Sequence, residues 1–279
     1  MTPADPAEKL ADLRSAVREI PDPIVAFSGG VDSSFLAVVV YQELGYGMRA
    51  VLADSPSLPR RELAEASALA QRHGIPLDVV ETEELDDPRY RANAADRCAF
   101  CKEALVDAVV AHPALADRTL LLGVNTDDLG DHRPGQVAAS RRGARFPLVE
   151  ARLGKHEVRT LARGLGLASW DKPAAACLAS RIAYGVAVTA DGLRRVERSE
   201  DALRELGFDG DIRVRDQGGD LARIEVPGPF LEEVLARRAE IVAQLHAAGF
   251  RYVTLDLEGF RSGSQNLVLA IGRRSPGEP

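Results

Sequence analysis

The sequence predicts an α/β fold, a Rossmann-like parallel sheet over residues 1–185 followed by a smaller α+β domain over residues 186–279. Three observations carry this expectation. Short apolar runs alternate with stretches of helical periodicity from Ile24 to Leu165, the order that builds parallel strands joined by crossover helices. A glycine turn, Ser28-Gly29-Gly30, separates the first apolar run from the first long apolar helix. The composition shifts near Tyr184-Gly185, and beyond it come a helix, a strand pair, a second helix and a last strand.

Taken in order, Leu10, Leu13, Val17 and Ile20 recur at helical spacing, so Ala7 to Ile20 reads as an amphipathic packing helix. Ile24 to Phe27 is a short buried strand, and Val31 to Tyr41 the apolar helix after the glycine turn. Met48 to Asp54 and Leu77 to Glu81 are strands, with Leu63 to His73 a helix between them. Cys98 to Ala111 begins in a loop and continues as a helix, and Thr119 to Val124 is the fourth strand. From Leu129 to Phe146 no periodicity survives and a long loop is expected. Lys155 to Leu165 is a helix stopped by Gly166. The second domain reads as a helix over Asp191 to Leu206, strands over Ile212 to Arg215 and Leu221 to Val226, a helix over Phe230 to Ala248 and a strand over Tyr252 to Leu257. Ser275 to Pro279 read as a frayed end.

Composition narrows the function. With 279 residues and 46% hydrophobic content, the chain can bury a large core. It has no apolar run of ~18 residues, and Met1 to Lys9 is acidic and proline-bearing, so no membrane is expected and the expected location is cytoplasmic. A formal net charge of −7 disfavours a nucleic-acid partner, although Arg141, Arg142 and Arg145 form a local basic cluster. A small molecule is the expected substrate.

Residues 24–34 point to its chemistry. A strand, a glycine turn and a helix start aim unpaired N–H groups and the positive end of a helix dipole at one point, which suits a phosphate. The lysine of a Walker A loop is absent from this stretch. Gly29 and Gly30 let the backbone turn, the hydroxyls of Ser28, Ser33 and Ser34 add donors, and Asp32 is the expected partner of Mg²⁺. Ligands of parallel sheets sit beyond the carboxyl ends of the strands, so Ala53, Asp54 and Ser55 are candidates for holding adenosine. Gly123, Asn125, Asp127 and Asp128, at the next strand exit, suit a nucleotide or Mg²⁺ contact; a capped turn explains the same residues.

The odd cysteine count makes a disulfide framework a poor explanation. Cys98 and Cys101 lie three apart, so both sulfurs share one face of a helical turn. Four readings stand: a zinc site that borrows His132, a redox dithiol, inert packing, or a 4Fe–4S cluster held by Cys98, Cys101 and Cys177 with one iron open to sulfide. Arg213 and Arg215 alternate along a strand and share a face, either as a clamp for a substrate phosphate or as solvated charges. Glu200 and Glu225 complement them as Mg²⁺ or substrate contacts, and Arg181 closes the stretch after Cys177.

The order Ser28-Gly-Gly-Val-Asp-Ser33 resembles the phosphate loop of the PP-loop ATP pyrophosphatases, in which a substrate attacks the α phosphorus and pyrophosphate leaves. With Arg97-Cys-Ala-Phe-Cys-Lys102, Asn125-Thr-Asp-Asp128, Asp131-His-Arg-Pro-Gly135, Trp170-Asp-Lys-Pro173, Ala176-Cys-Leu-Ala-Ser-Arg181, Arg213-Val-Arg215, Ala222-Arg-Ile-Glu225 and Leu257-Glu-Gly-Phe-Arg-Ser-Gly263, the chain resembles the LarE family. That resemblance implies an ATP-dependent sulfur transferase that makes the nickel-pincer nucleotide, the cofactor of lactate racemase. It implies ATP, Mg²⁺ and, with all three cysteines present, a 4Fe–4S cluster on Cys98, Cys101 and Cys177. In another branch the residue matching Cys177 gives up its own sulfur. Sulfide or a sulfur-delivery protein is the implied donor, Arg181, Arg213 and Arg215 the implied phosphate contacts, and a homo-oligomer of six the implied assembly. The chain departs from the pattern at Leu122 and at Asp216-Gln217.

Overall fold

The computed structural model describes residues 5–130, 134–173 and 176–266. In chain order its elements are α1 (Pro6–Arg18), β1 (Pro23–Ala26), α2 (Val31–Leu44), β2 (Arg49–Asp54), α3 (Arg60–Arg72), β3 (Leu77–Glu81), α4 (Pro88–Arg91), α5 (Arg97–Ala111) and β4 (Thr119–Leu122). There follow α6 (Pro134–Arg141), α7 (Pro147–Glu150), α8 (Lys155–Gly164), α9 (Ala190–Glu205), β5 (Arg213–Asp216), β6 (Leu221–Glu225), α10 (Leu231–Ala236), α11 (Arg238–Ala248) and β7 (Tyr252–Leu255). They form two compact units, Met1–Glu84 with Cys98–Ala175, and Leu85–Arg97 with Ala176–Pro279.

The first unit is built on a four-stranded parallel sheet in the order β3-β2-β1-β4, so the α/β expectation holds. Pleating sends successive side chains to opposite faces, and both faces are covered. Val25, Ala50, Leu52 and Leu121 join a core with Leu13 and Val17 of α1, Phe35 and Leu36 of α2 and Val158 of α8. Ile24, Val51, Leu120 and Leu122 face the other way, onto Leu105, Val106 and Val109 of α5. Helix α2 is buried around almost its whole circumference, from Val31 and then Ser33 through Val40, because its sequence is apolar on every side. Burying a side chain such as Phe35 contributes about 1.5–3 kcal/mol, and the sum fixes the helix that follows the glycine loop.

The second unit carries a three-stranded mixed sheet, β5 antiparallel to β6 and β6 parallel to β7. Helix α9 packs on α11 and on β5. Residues Leu85–Arg97 leave the first unit and return, an excursion with no compositional mark. They are held by Asn93, which adopts φ +54 and donates its side-chain amide to the carbonyls of Ile182 (3.2 Å), Ala183 (2.9 Å) and Val186 (2.9 Å).

Some expectations need correction. The stretch 129–146 is not wholly loop, because α6 starts at Pro134, whose fixed φ suits a first helical position where no N–H is needed. Asp131, His132 and Arg133 lie outside the described residues, as do Ala174, Ala175 and residues 267–279. The helix expected over 230–248 is two helices broken at Arg237, where ψ rises to 17° and the side chain donates to the Leu206 carbonyl and Glu240. No described helix is long and apolar enough to cross a membrane.

Candidate functional site

The glycine loop at residues 28–34 begins where β1 ends. Phe27 still donates to the Val51 carbonyl at 2.8 Å, and the chain then reverses at Gly29, with φ +70. A Cβ at Gly29 would stand 2.8 Å from Cβ of Ala66 in α3, so glycine is required for both conformation and space. The hydroxyls of Ser28 and Ser33 lie 3.0 Å apart, and Ser33 Oγ also accepts from the Ser28 N–H at 3.2 Å and donates to the Gly30 carbonyl at 3.3 Å. These two serines brace the loop. Ser34 is fully buried, with a hydroxyl that has no hydrogen-bond partner among the described residues. Gly30 caps α2 without a side-chain bond, which leaves the first amide donors of a 14-residue helix open to an anion.

Asp32, in the first turn of α2, is the hub of this loop. One carboxylate oxygen accepts from the Asn125 amide at 3.3 Å, and the other is paired with the ammonium of Lys155. The Asn125 N–H donates to Asp128 at 3.1 Å, the Asp127 N–H to the Asn125 side chain at 2.9 Å, and the Lys155 N–H to Asp127 at 2.6 Å. A Cβ at Gly123 would stand 2.8 Å from the backbone nitrogen of Ser33, so β4 delivers Asn125 to Asp32 only because residue 123 lacks a side chain. Ser28, Gly29, Gly30, Asp32, Ser33, Gly123, Asn125 and Asp128 are therefore one structural cluster. Lys155 was not anticipated: a lysine at the start of α8, 123 residues after Asp32, has no local signal.

At the end of β2, Ala53 packs on the α5 face of the sheet and Asp54 pairs with Arg60. The Ser55 hydroxyl donates to Glu84, with both residues buried, and accepts from the Ser57 N–H at 2.9 Å. Its side chain is thus committed to shaping the strand exit.

Cys98 and Cys101 stand among the first five residues of α5, in the first unit; Cys98 is in the helix and not in a preceding loop. Cys98 is exposed and Cys101 half-buried. Cys177, also half-buried, belongs to the second unit and precedes a tight turn, Leu178–Arg181. Its carbonyl accepts from the Ser180 N–H (2.9 Å), the Ser180 hydroxyl (2.7 Å) and Arg181 (3.2 Å). Among the described residues no group of three or more His, Cys, Asp and Glu side chains stands at metal-binding spacing.

The arginines are buried, which excludes the solvated-charge reading. Arg181 donates to both oxygens of Glu200, at 2.9 and 3.3 Å, and Glu200 also accepts from the Val214 N–H at 3.2 Å. Arg215 donates through Nε and Nη2 to one oxygen of Glu225, at 3.0 and 2.7 Å, while Arg223 reaches the other at 3.0 Å. Glu200 and Glu225 are accordingly ion-pair partners of the arginines here. Arg213 differs. It donates to the Ile212 carbonyl at 2.7 Å, lies 4.9 Å over the Phe260 ring, and meets Asp211 only at 3.4 Å. Burial, reinforced by the charge of Arg181, holds its pKa below the ordinary guanidinium value. A buried cation so weakly matched is suited to an anionic ligand. At the two departures from the family pattern, Leu122 is buried in β4, and Asp216 accepts from Arg195 at 2.6 Å.

No family model matches the chain. It is 45% identical over 264 residues to an uncharacterized protein of Synechocystis, covering 94% of this chain and 98% of that protein. It is 26% identical over 240 residues to an uncharacterized protein of Methanocaldococcus jannaschii, covering 86% and 90%. It is also 37% identical over 267 residues to the pyridinium-3,5-bisthiocarboxylic acid mononucleotide synthase of Lactiplantibacillus plantarum, covering 94% and 95% of the two chains. Identity at that level over nearly the full length of both proteins places this chain in the LarE family.

Proposed function

We propose that the protein is an ATP-dependent sulfur transferase acting on pyridinium-3,5-biscarboxylic acid mononucleotide. A substrate carboxylate oxygen attacks the α phosphorus of ATP and pyrophosphate leaves. Sulfur then replaces AMP on the activated carbonyl to give the thiocarboxylate, and a second round gives the bisthiocarboxylate. The observation that carries this reading is the loop at residues 28–34, with open helix amides and Asp32 fixed beside them. It is joined to 37% identity with a synthase of the corresponding bisthiocarboxylic acid mononucleotide.

Each residue has a part. The first amides of α2 bind the β and γ phosphates, and Asp32 with Asn125 faces Mg²⁺. Arg213 takes the phosphate of the mononucleotide, while Glu200 and Glu225 hold Arg181 and Arg215 in fixed orientations beside it. Cys98, Cys101 and Cys177 would be the three thiolate ligands of a 4Fe–4S cluster, an assignment that rests on the family's cysteine pattern and not on their placement among the described residues. Such a cluster would supply a labile sulfide drawn from free sulfide or a sulfur-delivery protein.

The test is pyrophosphate release from ATP with and without the biscarboxylic mononucleotide, in protein reconstituted anaerobically with iron and sulfide. Release that depends on the mononucleotide, with a 4Fe–4S spectrum, is expected. Release that depends on tRNA instead overturns the substrate, and a spectrum unaltered in Cys98→Ala and Cys101→Ala overturns the cluster ligands. In Arg213→Ala, KM for the mononucleotide rises about 10- to 100-fold, what one charge-assisted hydrogen bond is worth, with little change in KM for ATP. An equal rise in both would remove the phosphate from Arg213.

A further inference from the structure

The buried arginines of the second unit are stabilised in two different ways. Arg181 and Arg215 each donate to a buried carboxylate, Glu200 and Glu225, whose oxygens take up their in-plane N–H groups. Arg213 has an aromatic ring where the others have a carboxylate: its guanidinium carbon lies 4.9 Å from the centroid of Phe260. The like charges of Arg181 and Arg215 act on it, and Asp211 meets it only at 3.4 Å. The two kinds of partner differ in what they leave over. A carboxylate neutralises a guanidinium by occupying its donors, whereas the negative face of a ring attracts the cation without accepting its N–H groups one by one.

Phe260 is set in that place by its backbone. Beyond β7 the N–H groups of Glu258 and Gly259 donate to the Asp256 side chain at 3.0 Å and carbonyl at 3.1 Å, and Gly259 turns the chain at φ +69. A Cβ at Gly259 would stand 2.7 Å from the Val226 carbonyl oxygen, the same oxygen that accepts from the Phe260 N–H at 2.8 Å. Farther on, Ser264 bridges Arg215 and Glu225 at 3.3 Å each, and the Gln265 amide donates to the Arg181 carbonyl at 3.3 Å. One segment after the last strand thus meets all three arginines, and it gives a ring to Arg213. We infer that Phe260 is a positioning residue for Arg213, whose guanidinium it holds by one face while leaving the in-plane donors to the phosphate of the mononucleotide. This rests on the reading that Arg213 binds that phosphate. An aliphatic side chain at residue 260 fills the space but gives the buried cation no attraction, so the guanidinium loses its fixed direction.

The experiment compares wild type, Phe260→Leu, Phe260→Met, Phe260→Tyr and Arg213→Ala. It measures KM for the mononucleotide and for ATP, and calorimetric affinity for the mononucleotide and for its dephosphorylated nucleoside. In Phe260→Leu and Phe260→Met, which keep an apolar side chain without a ring, KM for the mononucleotide rises about 3- to 30-fold, the size of a desolvated cation–π contact. Affinity for the mononucleotide falls by the same factor. KM for ATP and affinity for the nucleoside, which has no phosphate, stay at their wild-type values, whereas a merely structural role weakens them too. Phe260→Tyr keeps the ring face and recovers the wild-type KM. With Arg213→Ala showing its expected rise in KM, a wild-type KM in both Phe260→Leu and Phe260→Met overturns the inference. So does a loss of nucleoside affinity as large as that for the mononucleotide, or a Phe260→Tyr variant as impaired as Phe260→Leu. An unchanged KM in Arg213→Ala overturns the reading of Arg213, and this inference with it.

Discussion

Cys177→Ala is expected to leave mononucleotide-dependent pyrophosphate release near the wild-type rate while thiocarboxylate formation falls to background. The split follows from where the groups lie. Asp32, Asn125 and Lys155 form their own cluster within the first unit, whereas Cys177 belongs to the second. The turn after Cys177 depends on its backbone carbonyl, which binds Ser180 and Arg181, and alanine keeps that carbonyl. The sulfur chemistry is removed and the local fold stays. Product mass spectrometry alongside a pyrophosphate assay reads the two halves separately, and equal loss of both would give Cys177 a role in adenylation. Cys98→Ala and Cys101→Ala divide the sulfur chemistry further. Loss of thiocarboxylate in both accords with three ligands to one cluster, whereas retained activity, with Cys177 shortened by the mass of H₂S, identifies Cys177 as a consumed donor.

Glu225→Gln is expected to cost about 3–5 kcal/mol of stability in the second unit. Glu225 is fully buried, accepts two bonds from Arg215 and one from Arg223, and takes the Ser264 hydroxyl at 3.3 Å. Glutamine keeps the shape and loses the charge. Arg215, itself buried on β5, then has a cation in a low-dielectric setting with no compensating carboxylate. The measurement is urea unfolding followed by a probe in the second unit, where a lower midpoint at unchanged slope reports lost stability. A change under about 1 kcal/mol, the range of an exposed pair, would show that water reaches the site.

The sheet and the glycine turn at residues 28–30 were legible because each leaves a local pattern. Apolar runs of strand length at β1 to β4 alternate with helical periodicity, and Ser28-Gly29-Gly30 falls where backbone geometry demands glycine. Helix α6 was not legible, since eight residues with Gly135 in the first turn give too little period to stand out. The partners of the arginines were invisible for another reason. Arg181 meets Glu200 across 19 residues and Arg215 meets Glu225 across a strand pair, and neither sequence window distinguishes a buried ion pair from surface charge. Lys155 and Glu84 escaped in the same way, because tertiary structure alone brings them to Asp32 and Ser55.

The excursion of residues 85–97 makes the second unit a poor candidate for exchange between proteins. Its polypeptide comes in two pieces, Leu85–Arg97 and the stretch from Ala176 onward, stitched by Asn93 to three carbonyls of the later piece. A recombination event at a single point cannot transplant it, for a fragment beginning at Ala176 arrives with the acceptors of Ile182, Ala183 and Val186 but without the amide that satisfies them. Such a chain architecture ties the transfer of the arginine cluster to that of the parallel sheet of the first unit.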